Sequence, residues 1–188
     1  MYAIISVLDP NASTEVYIYW KKLSLGCGLN AIFHMPTPHL TWMVCQDLDV
    51  DHAAPLISHV SSQKGAITSR SSGLGIFTGD NPVLYLPIVK SQEMIGLHKV
   101  IWDLLKPLTR TTKEFYSPIA WVPHITLALN DLTKEKLACA VNSIAFEEIA
   151  LNVTIDNLCI AEYEKDIAGE IIEKFQFPME DQQMRSSV

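Results

Sequence analysis

Pro38-His39-Leu40-Thr41-Trp42 and Pro123-His124-Ile125-Thr126-Leu127 repeat one pattern: proline, histidine, an apolar residue, threonine, an apolar residue. The two histidines stand 85 positions apart. With 10 Pro, 6 His and 11 Thr in 188 residues, chance would supply Pro-His-x-Thr about 0.02 times. An imidazole titrates near pH 6.5, so of two in one cleft one can be the neutral base and the other the charged acid. Hydroxyls beside them can donate to the non-bridging oxygens of a phosphate, where charge grows in the transition state. Loss of one such donor typically costs about 10²–10³ in rate. His39 and His124 are thus the candidate acid–base pair, and Thr41 and Thr126 the candidate phosphate donors. Phosphodiester chemistry of this kind needs no metal and no cofactor.

The elements that must hold these groups are strands. Leu40 to Cys45 and Ile125 to Leu129 are rich in apolar and strand-forming residues, and each strand is entered through a proline whose missing donor is tolerated there. Side chains alternate along a strand, so His39 shares a face with Thr41 and His124 with Thr126. Leu40, Trp42 and Val44, and Ile125, Leu127 and Leu129, are expected on the opposite faces, packed under helices. A lone histidine on a strand is most often a core residue; the repetition is what argues otherwise here.

With these residues in view, the chain resembles the two-histidine phosphoesterase superfamily, especially its RNA 2',3'-cyclic phosphodiesterase and 2',5'-RNA ligase-like (LigT-like) branch. Both His-hydrophobic-Thr-hydrophobic motifs match without departure, and the preceding prolines and Trp121 fit as well. The resemblance implies an α+β, bilobed fold in which two antiparallel sheets line a central groove and helices cover the outer faces. It implies opening of 2',3'-cyclic phosphates, leaving the 2'-phosphate, or making and breaking of 2',5' linkages in RNA-like substrates. A binder of nucleotides or RNA ends that does no chemistry is the rival of a different class.

Composition sets bounds. A length of 188 residues with 48% hydrophobic and 19% charged side chains suits one globular domain with a sizeable core. Residues 1–178 are expected to form that single bilobed domain, and 179–188 a frayed C-terminal tail. A net charge of −7 argues against long duplex nucleic acid but not against a nucleotide or a single RNA end. No apolar run reaches the ~20 residues of a membrane span. Met1 to Leu8 reads as a first buried strand rather than a signal peptide. Cys27, Cys45, Cys139 and Cys159 lack a CxxC pair, which argues against a zinc site and a disulfide framework and for a reducing, cytoplasmic location. A monomer is expected.

Along the chain, helices are expected over Asn11 to Ser24 (with Val16, Ile18, Tyr19 and Leu23 apolar), from an Asp51 cap to Gln63, over Gln92 to Leu108, and over Thr133 to Phe146. In the third, Ile95, Leu97, Ile101, Leu104, Leu105 and Leu108 form the apolar stripe, and His98 falls on an exposed face. Ala66 to Phe77 and Val83 to Lys90 read as paired strands about the 78–82 turn. Thr109 to Glu114 reads as a loop. Leu151 to Tyr163 and Ile171 to Phe177 form a closing hairpin around Asp166 to Gly169. Tyr116 and Tyr85 are candidates to stack on a base, as aromatic side chains do with single-stranded nucleic acid. Arg70, Arg110 and Lys113 are candidate local cations; His34, His52 and His59 show no metal-motif spacing, and His52 and His59 read as surface residues.

Overall fold

His39 and His124 each begin a strand in the computed structural model, which describes residues 1–164 and 167–178. The elements run β1 (Tyr2–Val7), α1 (Pro10–Cys27), β2 (His39–Gln46), α2 (Val50–Ser62), β3 (Ile67–Arg70), β4 (Gly75–Phe77), β5 (Val83–Pro87), α3 (Gln92–Leu105), β6 (Thr111–Thr112), β7 (His124–Ala128), α4 (Lys134–Ile144), β8 (Asn152–Ile155), β9 (Asn157–Glu164) and β10 (Ile167–Gln176). The first sheet has the order β10-β9-β1-β2-β6 and the second β4-β5-β7, with every pairing antiparallel. The β3–β8 pair joins the second sheet through a bridge between Ser71 and Ile88. Helices α2 and α3 pack on the first sheet, α1 packs on β7 and β8, and α4 packs against α1. This is the expected α+β arrangement of two antiparallel sheets with helices outside. One core runs through both halves, from Leu40, Ile57 and Leu97 to Trp20, Leu127 and Ile144.

Local chemistry sets the helix ends. Asp9 caps α1 by accepting from the Asn11 and Ala12 amides, Pro10 opens it, and Gly28 closes it in the left-handed conformation at φ 67°. The cap of α2 is Asp49 rather than Asp51; its carboxylate accepts from the His52 amide. Ser91 and Thr133 cap α3 and α4 in the same way.

Several expectations are corrected. Ala66 to Phe77 is two strands, β3 and β4, because the chain changes partner from β8 to β5 at Ser71. Leu151 to Tyr163 is likewise split at Asp156, where the chain leaves β3 for the first sheet. Asn157 fixes that crossing, its side-chain amide exchanging hydrogen bonds with both the N–H and the carbonyl of Val7. The loop at Thr109 contains the two-residue strand β6, which pairs with Cys45 and Gln46. Of the turn expected over Asp166 to Gly169, Ile167 to Gly169 belong instead to β10, which pairs from Ile167 with Glu164; position 166 and the tail 179–188 lie outside the described residues.

Two helical faces are rotated from expectation. In α3 the buried side chains are Met94, Leu97, His98, Ile101, Trp102 and Leu105, whereas Ile95 and Leu104 are exposed. His98 is 2% exposed, and burial lowers its pKa to about 4, leaving it neutral. In α1 the buried face is Ala12, Val16, Trp20 and Leu23, with Ile18 outside. On β2, Val44 joins the His39–Thr41 face and Met43 takes its place in the core. A β-bulge causes this: Ile4 opposes Met43 and Ile5 opposes Thr41, so Trp42 is skipped.

The four cysteines were expected to be unbridged. Cys27 and Cys139 instead form a disulfide between the end of α1 and α4, with Cα atoms 5.8 Å apart. The bridge removes the cysteine argument for a reducing compartment. Cys45 and Cys159 are free and buried, their thiols pushed up to about 12 and about 11. Among the described residues no helix is long and apolar enough to cross a membrane. Thiol titration of the unfolded, unreduced chain should therefore find two of its 4 cysteines reactive. Four reactive thiols would refute the bridge.

Candidate functional site

Each histidine is oriented by its own approach segment. The His39 ring Nδ1 lies 2.9 Å from the Thr37 carbonyl, and the His124 Nδ1 2.7 Å from the Val122 carbonyl. A carbonyl only accepts, so each Nδ1 carries the proton and each Nε2 is left as the exchanging nitrogen. Thr37 and Val122 both precede a proline, which restricts them to extended backbone and presets where their carbonyls aim. The repeated proline therefore does more than open a strand.

The two rings sense each other. Burial is the main force lowering the pKa of both, partly offset by the carbonyl hydrogen bonds. A positive charge on His124 lowers His39 further, so the pair resists holding two protons at once. His39 and Thr41 are buried at 8% and 7% exposure, while His124 and Thr126 are half-buried. Val7 and Ile5 oppose His39 and Thr41 across β1, and Pro87 and Tyr85 oppose His124 and Thr126 across β5.

The backbone of each threonine is held by an indole. Trp121 Nε1–H donates to the Thr41 carbonyl at 2.9 Å, and Trp20 Nε1–H to the Thr126 carbonyl at 3.0 Å. Both tryptophans are almost fully buried. Trp121 lies on the approach to the second motif yet clamps the first, and this contact ties the two halves together.

Of the candidate aromatic residues, Tyr85 is brought to the site and Tyr116 to its first-sheet side. The Tyr85 ring centroid is 5.1 Å from that of His124, and Phe77 stacks on Tyr85 at 4.1 Å while meeting His124 edge-on at 4.9 Å. Tyr116 packs against the apolar cluster of Ala3, Ile5, Val44 and Cys159, on the His39 face of the first sheet. Sequence reasoning missed Phe77. The 78–82 turn did carry the signal, since a symmetric hairpin about it sets Phe77 opposite Val83, as observed. It also missed Trp20, although the spacing Ala12-Val16-Trp20-Leu23 marks a helical face. The three candidate cations do not converge. Arg110 pairs with Asp47 at 3.6 Å and Arg70 is exposed on β3, while the Lys113 ammonium lies 4.9 Å from the Tyr163 ring centroid. His34, His52 and His59 are exposed, and among the described residues no three potential ligand side chains gather to hold a metal.

The fold is shared with known proteins. The model of the 2'-5' RNA ligase superfamily matches residues 20–167. The chain belongs to that superfamily, the two-histidine phosphoesterases. Among solved structures, E. coli LigT complexed with 3'-AMP is similar at a TM-score of 0.61 and 12% identity, covering 94% of this chain and 97% of that one. A second phosphoesterase gives 0.60 at 12% identity with the same coverage. Kluyveromyces marxianus Usb1 gives 0.54 at 10% identity, again covering 94% and 97%. No curated protein matches this sequence.

Tyr85 is held in place by the backbone beneath it. A Cβ on Gly75 would come within 2.4 Å of the Tyr85 ring. Gly75→Ala should thus force the ring away from His124 and cost about 1–3 kcal/mol of stability. Chemical denaturation reads the loss, and an unchanged midpoint would mean that the ring yields freely.

Proposed function

We propose that this protein is a metal-independent phosphodiesterase that opens 2',3'-cyclic phosphates on nucleotides or RNA ends. The observation that carries the reading is the pair of identically tethered imidazoles, each with Nδ1 tied to a carbonyl and Nε2 left to exchange protons. The neutral imidazole takes a proton from water as its oxygen attacks phosphorus. The P–O3' bond breaks, and the protonated imidazole gives its proton to the departing 3' oxygen. Thr41 and Thr126 donate hydrogen bonds to the non-bridging oxygens as their charge rises. Tyr85 and Tyr116 flank these groups as surfaces for a base. The similar LigT and Usb1 structures contain 3'-AMP and uridine monophosphate, ligands of the size and charge such a groove would take.

The test is hydrolysis of 2',3'-cyclic nucleotides in excess EDTA. Wild type should turn over, His39→Ala and His124→Ala should be inactive but folded, and Thr41→Val or Thr126→Val should lose about 10²–10³ in kcat. Full activity in either histidine variant would sink the assignment. Turnover confined to 2',5'-linked dinucleotides would move the reading to a 2',5'-phosphodiesterase or ligase, and affinity without turnover on either panel to a binding protein.

The pH dependence follows from the direction of the shifts. The base must be neutral and the acid protonated, and burial lowers both pKa values below 6.5. Hence kcat/KM should peak on the acid side of 6.5 and fall as pH rises and the acid loses its proton. A profile still rising through pH 8 would contradict it.

A further inference from the structure

His98 takes no part in the chemistry above, yet it sits where the parts of the site are joined. Its Nε2 lies 3.0 Å from the Trp42 carbonyl and 3.0 Å from the Tyr116 carbonyl. Both partners can only accept, so Nε2 carries the proton and shares it between them. Its ring lies flat on Trp121, with centroids 4.0 Å apart and planes 2° from parallel. Trp121 in turn donates to the Thr41 carbonyl.

The three contacts fall on three segments. Trp42 follows Thr41 at the bulge of the first motif. Beyond Cys45 and Gln46 the edge of β2 loses its strand partner, since β6 is only two residues long. At Thr41 and Trp42 side chains supply the donors instead: Trp121 to one carbonyl and His98 to the next. Tyr116 starts the turn that leads to the second motif, where the Ser117 carbonyl accepts from the Ala120 and Trp121 amides. A leucine or phenylalanine would fill this buried space. Neither could donate to the Trp42 and Tyr116 carbonyls, the first of them buried.

We propose that His98 is a positioning residue, whose ring and single N–H seat Trp121 and the Trp42 carbonyl so that Thr41 and His124 keep their spacing across the groove. The inference rests on the reading of the groove as a phosphodiesterase site. A misplacement on the order of 1 Å in such a site can cost about 10² in rate. The imidazole is required for its donor, not for its volume.

Three substitutions separate the roles. His98→Phe keeps a flat ring on Trp121 but has no donor. His98→Gln returns a donor near the Nε2 position without the ring. Trp121→Phe removes the indole N–H from Thr41. On a 2',3'-cyclic nucleotide, His98→Phe and Trp121→Phe should each lower kcat about 10- to 100-fold with KM within about 2-fold. Their combination should be no worse than either alone, because they break one brace. His98→Gln should recover most of the loss. The indole N–H resonance of Trp121 should move in His98→Phe and return toward its wild-type position in His98→Gln.

Wild-type kcat in a folded His98→Phe would overturn the proposal. So would an equal loss in both His98 variants, or a loss that tracks only the folded fraction measured by circular dichroism. If His98→Phe does not fold, the comparison of His98→Gln with Trp121→Phe decides. If wild type turns over no cyclic nucleotide, the phosphodiesterase reading fails, and the Trp121 resonance still decides whether the brace exists.

Discussion

The hydrogen bond from the Trp121 indole to the Thr41 carbonyl, 2.9 Å long and buried, is the constraint on which the site depends. The carbonyl that orients His39 lies just ahead of the first sheet, and the one that orients His124 just ahead of its strand in the second. Trp121 belongs to the segment entering β7 but spends its N–H on β2. Without that donor the Thr41 carbonyl would be buried and unpaired, a cost of about 1–3 kcal/mol. The contact therefore does two jobs at once: it satisfies a strand edge and sets the spacing between motifs. Trp20 performs the first job for Thr126 from α1, so each threonine is fixed from behind by a rigid group.

The histidines are governed by shorter-range physics. In both motifs the imidazole binds the carbonyl two residues back, across an intervening proline. Proline restricts the residue before it, so the acceptor is aimed before the fold closes around it. This makes the tautomer a property of a few consecutive residues. The fold then contributes burial, which favours the neutral form, and proximity, which makes one charge oppose a second.

That division explains what was legible in the sequence. The strands, their shared His–Thr faces and the hairpin about 78–82 follow from local periodicity and turn chemistry, and they appear as expected. The misreadings have tertiary causes. Treating His98 as polar hid the true stripe of α3, since Met94, Leu97, His98, Ile101, Trp102 and Leu105 follow a regular helical face once the imidazole is counted as buried. Val44 departs from the face that strict alternation gives it because alternation fails at a bulge, and a bulge is decided by the partner strand. The chain changes partner strand at Ser71 and at Asp156, and which strand lies alongside on either side is decided by the fold, not by local pattern. The Cys27–Cys139 bridge closes a separation of 112 residues, and no local pattern encodes that.

The two motifs are alike in sequence but unlike in setting. His39 sits at 8% exposure with Val7 opposite it, while half-buried His124 touches the edge of Phe77 and lies beside Tyr85. An acid and a base must differ in proton affinity at the moment of reaction, and identical motifs with identical tethers supply no difference of their own. The difference has to come from what surrounds each imidazole, as it does wherever two like groups take opposite roles. On the phosphodiesterase reading the repeat would supply the pair of proton carriers, and the departure from symmetry around them would decide which of the two holds the proton.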